Sequence, residues 1–130
     1  MSILQIKETI LYCHDLERTR EFYSTVLEFP VITFVEGQHV FFRSGSNVLL
    51  CFNPEASKVK VTPPPHFATG PQHIAFEVNV DRYDEWKERI RSHKIEIIDE
   101  ITWKNGLLSF YFKDPDGHVL EILQEGVWEA

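Results

Sequence analysis

Apolar residues recur along this chain with two different periods, and the switches between them mark out the elements. "IKETILYC" (6–13) alternates in part and predicts a strand. "DLERTREFYSTVL" (15–27) sets Leu16, Phe22, Tyr23, Val26 and Leu27 along one helical face behind an Asp suited to capping. After Pro30 come three short β-rich pieces, "VITFV", "HVFFR" and "NVLLCF", separated by "EGQ" and "SGS", whose glycines suit tight turns. The first half therefore reads βαβββ.

From Asn53 to Pro71 the composition changes, and three consecutive prolines forbid helix and favour an extended connection. "QHIAFEVNV" then predicts a strand, "DRYDEWKERIRSH" an amphipathic helix capped by Asp81, and "IEIIDEI", "LLSFYF" and "HVLEIL" three further strands. The order βαβββ repeats at a spacing of about 65 residues, as internal duplication predicts, with Glu8 and His73 at equivalent places. One such unit buries only one sheet face well. Two of them pairing side by side predict an α+β fold, two tandem βαβββ modules forming a curved mixed-sheet trough. The expected organisation is a single domain, with module one at about 1–55, a Pro-rich linker at about 56–71 and module two at about 72–130.

Alternation across the strands then sorts side chains to faces. Ile74, Phe76 and Val78 face the helix layer, so His73, Ala75 and Glu77 point away from it. In the last strand Val119, Glu121 and Leu123 share the face opposite Leu120 and Ile122. In the first, Glu8 interrupts an otherwise mostly apolar set with Ile6, Ile10 and Tyr12. Taken singly, a strand acid is usually solvated and a lone His usually a structural hydrogen-bonding residue. A duplicated trough brings first and last strands side by side, so Glu8, His73 and Glu121 compete for one location.

Composition narrows the partners. With 43% hydrophobic residues, ten Phe and three Trp among 130 residues, the chain can bury a core of one domain's size. Thirteen basic against twenty acidic residues leave a net charge of −7, which opposes nucleic acid and anionic membranes, and no local basic patch compensates. The N-terminus lacks a leader pattern, and no stretch approaches the ~18 apolar residues of a membrane span, so a cytoplasmic protein is expected. Cys13 and Cys51 sit in apparent strands as two buried thiols, with no disulfide framework.

Three segments, "HDLERTREFYSTVLEF" (14–29), "GPQHIAFEV" (70–78) and "SFYFKDPDGHVLEIL" (109–123), resemble the vicinal oxygen chelate superfamily, the glyoxalase, bleomycin-resistance and extradiol-dioxygenase fold. Carried over by position, the resemblance implies metal ligands at Glu8, His73 and Glu121, with the "DPDG" turn setting the register of the last strand. Many members have His or Gln at the Glu8 place. Where glyoxalase I has a fourth ligand this chain offers Leu50, which cannot bind a cation, so the arrangement resembles the three-ligand dioxygenases and fosfomycin-modifying enzymes. Glu28 stands where members usually carry Gly.

Two carboxylates held close in an enclosed trough repel unless a cation joins them. Glu8 and Glu121 with a neutral His73 would neutralise a divalent ion and leave positions open for substrate, and Mn, Fe, Zn or Ni all suit such donors. The resemblance implies a lyase, isomerase or dioxygenase that binds neighbouring substrate oxygens on the ion, with Glu121, Tyr111 and Ser109 as catalytic candidates. His66, Tyr12, Phe52, Arg43 and Trp128 are further candidates for substrate contact. The competing reading is a metal-free, bleomycin-resistance-type binder in which Tyr12, Phe52 and Tyr111 cradle a planar ligand. The family also implies a homodimer; glutathione or another thiol has no recognisable motif here.

Overall fold

Strand β1 (Glu8–Tyr12) runs parallel to β4 (Asn47–Phe52), which pairs antiparallel with β3 (His39–Ser44), and β3 with β2 (Val31–Val35), giving the order β1-β4-β3-β2. The second half repeats this arrangement as β5 (His73–Val78), β8 (Val119–Gln124), β7 (Leu108–Lys113) and β6 (Asp99–Thr102), in the order β5-β8-β7-β6. The computed structural model describes residues 1–129, and the chain divides into two compact units, one Met1–Gly70 and the other from Pro71 onward. Each unit is a four-stranded mixed sheet with a helix following its first strand, so the two tandem βαβββ modules expected from the periodicities are present.

In the first unit, helix α1 (Leu16–Glu21) begins where the Asp15 carboxylate accepts the Arg18 N–H at 3.2 Å, and it continues as five π-helical residues, Phe22–Val26. The wide last turn is closed by the Phe29 N–H on the Tyr23 carbonyl at 3.0 Å. That closure needs Glu28 at φ 61°, a left-handed conformation that glycine adopts without strain. α1 packs on β3 and β4, where Val40, Phe42, Leu49 and Cys51 are fully buried beneath it with Tyr23. Truncating an aromatic so placed costs about 3–5 kcal/mol, so this layer holds the unit together. The opposite face of the same strands carries His39, Phe41, Leu50 and Phe52.

The second unit follows the same plan. α3 (Tyr83–Ser92) lies against β8, and Tyr83 and Ile90 are buried with Phe110, Phe112, Leu120 and Ile122. Lys87 donates to both oxygens of Glu100 at 2.7 Å and the Tyr83 hydroxyl donates to one of them at 2.8 Å, tying α3 to β6.

Three local expectations are corrected. The linker is not wholly extended: α2 (Pro54–Ser57) forms a short helix because Asn53 caps it through the Glu55 N–H at 2.9 Å and Pro54 occupies the first turn, where its missing N–H is harmless. Asp81 does not cap α3; a 3₁₀ turn, Val80–Arg82, runs straight into the helix and no side chain caps its first turn. Finally, the strand expected over 95–101 is assigned only at Asp99–Thr102. The chain first leaves α3, with Lys94 at φ 62° and the Ile95 N–H bound to the Ile90 carbonyl, and reaches β7 at Ile98, whose N–H donates to the Tyr111 carbonyl at 2.9 Å. Cys13 lies one residue past β1, and both Cys13 and Cys51 are buried, reduced cysteines.

Candidate functional site

The two sheets share a register that identifies equivalent positions. Glu8 is opposite Val48 and Ile10 opposite Leu50; His73 is opposite Val119 and Ala75 opposite Glu121. Glu8 thus corresponds to His73, and Leu50 to Glu121. The two modules put different chemistry on one geometric frame, an apolar Leu50 in the first and a carboxylate in the second.

In the second unit the strands bring three of the expected groups together. Glu121 lies in β8 between Ala75 of β5 and Tyr111 of β7 and is 5% exposed, so its carboxylate needs partners. His73, two residues before Ala75 in β5, supplies one: its Nε2 is 3.2 Å from Glu121 Oε1. The Nδ1 of the same ring is 2.7 Å from the Val119 carbonyl. A carbonyl only accepts, so Nδ1 carries a proton, and in the neutral ring the Nε2 lone pair faces the carboxylate. Two acceptors at this separation require a cation between them, either a proton or a metal ion.

Tyr111 closes the other side. It hydrogen-bonds to Glu121 and to Ser109, and its ring centroid is 6.1 Å from that of His73. Burial first, and then the bond to the Glu121 carboxylate, raise the Tyr111 hydroxyl above its ordinary pKa, while the Ser109 bond opposes this. Ser109 is itself fully buried and accepts the Trp103 indole N–H at 3.0 Å. Trp103, Ser109, Tyr111 and Glu121 form one relay of hydrogen bonds ending at the carboxylate.

The "DPDG" turn sets where these strands begin. Asp114 Oδ1 accepts the N–H groups of Asp116 at 3.0 Å and His118 at 2.9 Å, and Gly117 takes φ 84°. Buried His118 accepts the Gln72 N–H on Nδ1 at 3.0 Å, and the Val119 N–H returns to the Gln72 carbonyl at 2.9 Å. These bonds pin the start of β5 to the start of β8 and thereby place His73 beside Val119. His118 was not among the expected residues; its signal was a polar ring at the head of an apolar strand.

The remaining candidates lie on other elements. Glu8 opens β1 of the first unit, exposed. Tyr12 and His66 meet there, with Tyr12 Oη and His66 Nδ1 at 2.7 Å, and Phe52 lies edge-on to the His66 ring at 4.7 Å. Burial raises the Tyr12 hydroxyl's pKa. Arg43 lies exposed on β3, and Trp128 is 83% exposed in the C-terminal turn. Among the described residues no helix is long and apolar enough to cross a membrane.

Known proteins share this plan. A solved lactoylglutathione lyase from Agrobacterium tumefaciens is 33% identical with a TM-score of 0.94, each chain covered over 98% of its length. The metallothiol transferase FosB of Lysinibacillus sphaericus (strain C3-41) is 28% identical over 122 residues, covering 93% of this chain and 82% of that one. The glyoxalase domain-containing protein RDO1 of Mycosarcoma maydis is 24% identical, covering 94% of this chain and 69% of its own. The family model described as Glyoxalase/Bleomycin resistance protein/Dioxygenase superfamily matches residues 5–122, nearly the whole chain with both modules, and the chain belongs to that superfamily.

Proposed function

We propose that this chain is a divalent-metal-dependent enzyme of its superfamily, a glyoxalase-like lyase or isomerase or a dioxygenase, acting on a small molecule that presents neighbouring oxygens. The observation that carries the reading is the pair of acceptors His73 Nε2 and Glu121 Oε1 at 3.2 Å, which suits one shared cation. Metal–ligand distances of about 2.0–2.2 Å put two adjacent donors roughly 3.0–3.4 Å apart, so the donor set fits such an ion. His73 and Glu121 would hold it, with Glu8 as a third ligand from its own chain or from the second copy in a homodimer. When bound, the ion supplies Lewis-acid polarisation of a substrate carbonyl or stabilisation of an enolate.

The residues around it have separate tasks. The Val119 carbonyl holds the His73 ring in the tautomer that leaves Nε2 free to ligate. Tyr111, raised in pKa and therefore protonated at neutral pH, keeps a donor on Glu121 and offers its edge to substrate, while Ser109 and Trp103 hold Tyr111 in place. Leu50, at the position equivalent to Glu121, adds no ligand, which favours a three-ligand site with positions left for substrate oxygens. The similarity to a lyase and to a metallothiol transferase agrees with a metal-dependent reaction, with or without a thiol co-substrate.

Elemental analysis of protein loaded in turn with Mn²⁺, Fe²⁺, Zn²⁺ and Ni²⁺ tests the reading. About one ion per chain, lost in Glu121→Ala and in His73→Ala, is the expected result; full metal content in Glu121→Ala overturns it. Activity screens on hemithioacetals, catechols and fosfomycin, each with and without thiol, then assign the reaction.

A further inference from the structure

The first unit holds a cavity of its own, about 230 Å³, on the face of its sheet opposite α1. Its floor is aromatic: His39 and Phe41 stack at 4.1 Å with 16° between their planes, and Phe52 meets Phe41 edge-on at 5.4 Å. The chain after α2 covers it. Pro63 and Pro64 add apolar wall, and His66 closes one side, held by Tyr12 and by its own N–H on the Ser57 carbonyl at 3.3 Å.

Two polar features of this wall lack a counterpart. His39 Nδ1 is buried and makes no hydrogen bond, an uncommon and unfavourable condition for a ring nitrogen. Lys60 also lines the cavity, while no carboxylate does. Burial, followed by the Lys60 charge, lowers the His39 pKa, so the ring is neutral and Lys60 carries the positive charge of the wall. In a chain of net charge −7, an acid-free concavity with one ammonium is a local exception that favours an anion.

We infer that this cavity binds a small aryl carboxylate, its ring against Phe41 and Phe52, its carboxylate toward Lys60 and a polar atom on His39 Nδ1. Size agrees: an apolar cavity of about 150 Å³ takes benzene, so 230 Å³ accommodates one ring with a carboxylate. Flat rings gain from offset and edge-on contacts of the kind the wall presents. The site is built from first-module residues, with Phe52 and His66, two of the candidates for substrate contact, among them; binding there needs no metal, so the inference names a ligand class and does not rest on the metal-dependent reading.

The test is calorimetric titration of the full chain, kept in EDTA, with benzoate, benzyl alcohol and acetate. Benzoate is expected to bind saturably at one per chain, benzyl alcohol about fivefold more weakly because it forgoes the partly screened Lys60 pair, and acetate not measurably. Lys60→Met should weaken benzoate about fivefold and leave benzyl alcohol unchanged. Phe52→Ala should weaken both about tenfold. Absence of saturable benzoate binding, acetate binding as tightly as benzoate, or unchanged benzoate affinity in Lys60→Met overturns the assignment. Because the assay excludes metal, failure here leaves the metal-dependent reading to its own test of ion content.

Discussion

His73 points one ring nitrogen at the Val119 carbonyl, 2.7 Å away, and the other at Glu121 Oε1, 3.2 Å away. The first contact assigns the proton and leaves the second as two electron-rich atoms in need of a positive charge.

If that charge is a bound divalent ion, the folded protein gains stability from it. Treatment of the metal-loaded parent with EDTA should lower Tm by several degrees, since a ligand at about 100 times its Kd contributes about 2.7 kcal/mol. Glu121→Ala should melt at the same temperature with and without EDTA. Differential scanning calorimetry on both, with ion content measured in parallel, checks this.

Tyr111 and Glu121 are cross-strand partners joined by a hydrogen bond. Tyr111→Phe should therefore cost about 1 kcal/mol in denaturant unfolding while the ion is retained. Once a substrate is identified, kcat/KM should fall about tenfold, the rate equivalent of one hydrogen bond. An unfolded or ion-free variant would place the residue in the architecture and not beside the reaction.

Acid sensitivity should trace to the tie between α3 and β6. Lys87 first, and Tyr83 with it, hold the Glu100 carboxyl below its usual pKa, with burial opposing them. Its folded pKa is depressed, so its contribution to stability is fully present above the unfolded carboxyl's value of about 4.3 and disappears as pH falls through the folded value. Tyr83→Phe should destabilise by about 1 kcal/mol at pH 7, and the gap to the parent should narrow below pH ~4. Urea unfolding across pH 2.5–7, a range of about five units around that carboxyl value, reads the difference.

Glu28 is an acidic residue at φ 61°, where an L side chain strains the backbone by about 1–2 kcal/mol. Glu28→Gly relieves that strain and returns part of it as unfolded-chain entropy. The expected net gain is about 0.5–1 kcal/mol, or roughly 3 °C in Tm, with ion content unchanged. A lower Tm would show that contacts of the Glu28 side chain outweigh its backbone strain.

Much of the fold was legible because its signals are local and repeated. Alternation placed Leu120 and Ile122 together on one face of the last strand, where both are buried, and Asp15 announced α1 by its position before the first apolar helical residue. The misreadings arose where local preference met a competing connection. Asp81 has the chemistry of a cap, but a 3₁₀ turn already carries the chain into α3; residues 95–98 have the composition of a strand, but Ile95 is still bonded to the helix and the chain reaches β7 only at Ile98. Likewise, Pro54 after Asn53 started a helix inside a segment read as extended.

Two tandem βαβββ modules, and a shared face for His73 and Glu121, were determined by residue periodicity alone, because a strand's two-residue repeat assigns each side chain a face whatever lies next to it. The rest needed neighbours distant in the chain. His73 is steered by a carbonyl 46 residues away and Tyr111 by Glu121 on the adjoining strand, while the cavity over His39 exists only because residues 60–66 fold across it. Rotamers, proton positions and enclosed space depend on which surfaces meet, and that meeting is decided by tertiary packing.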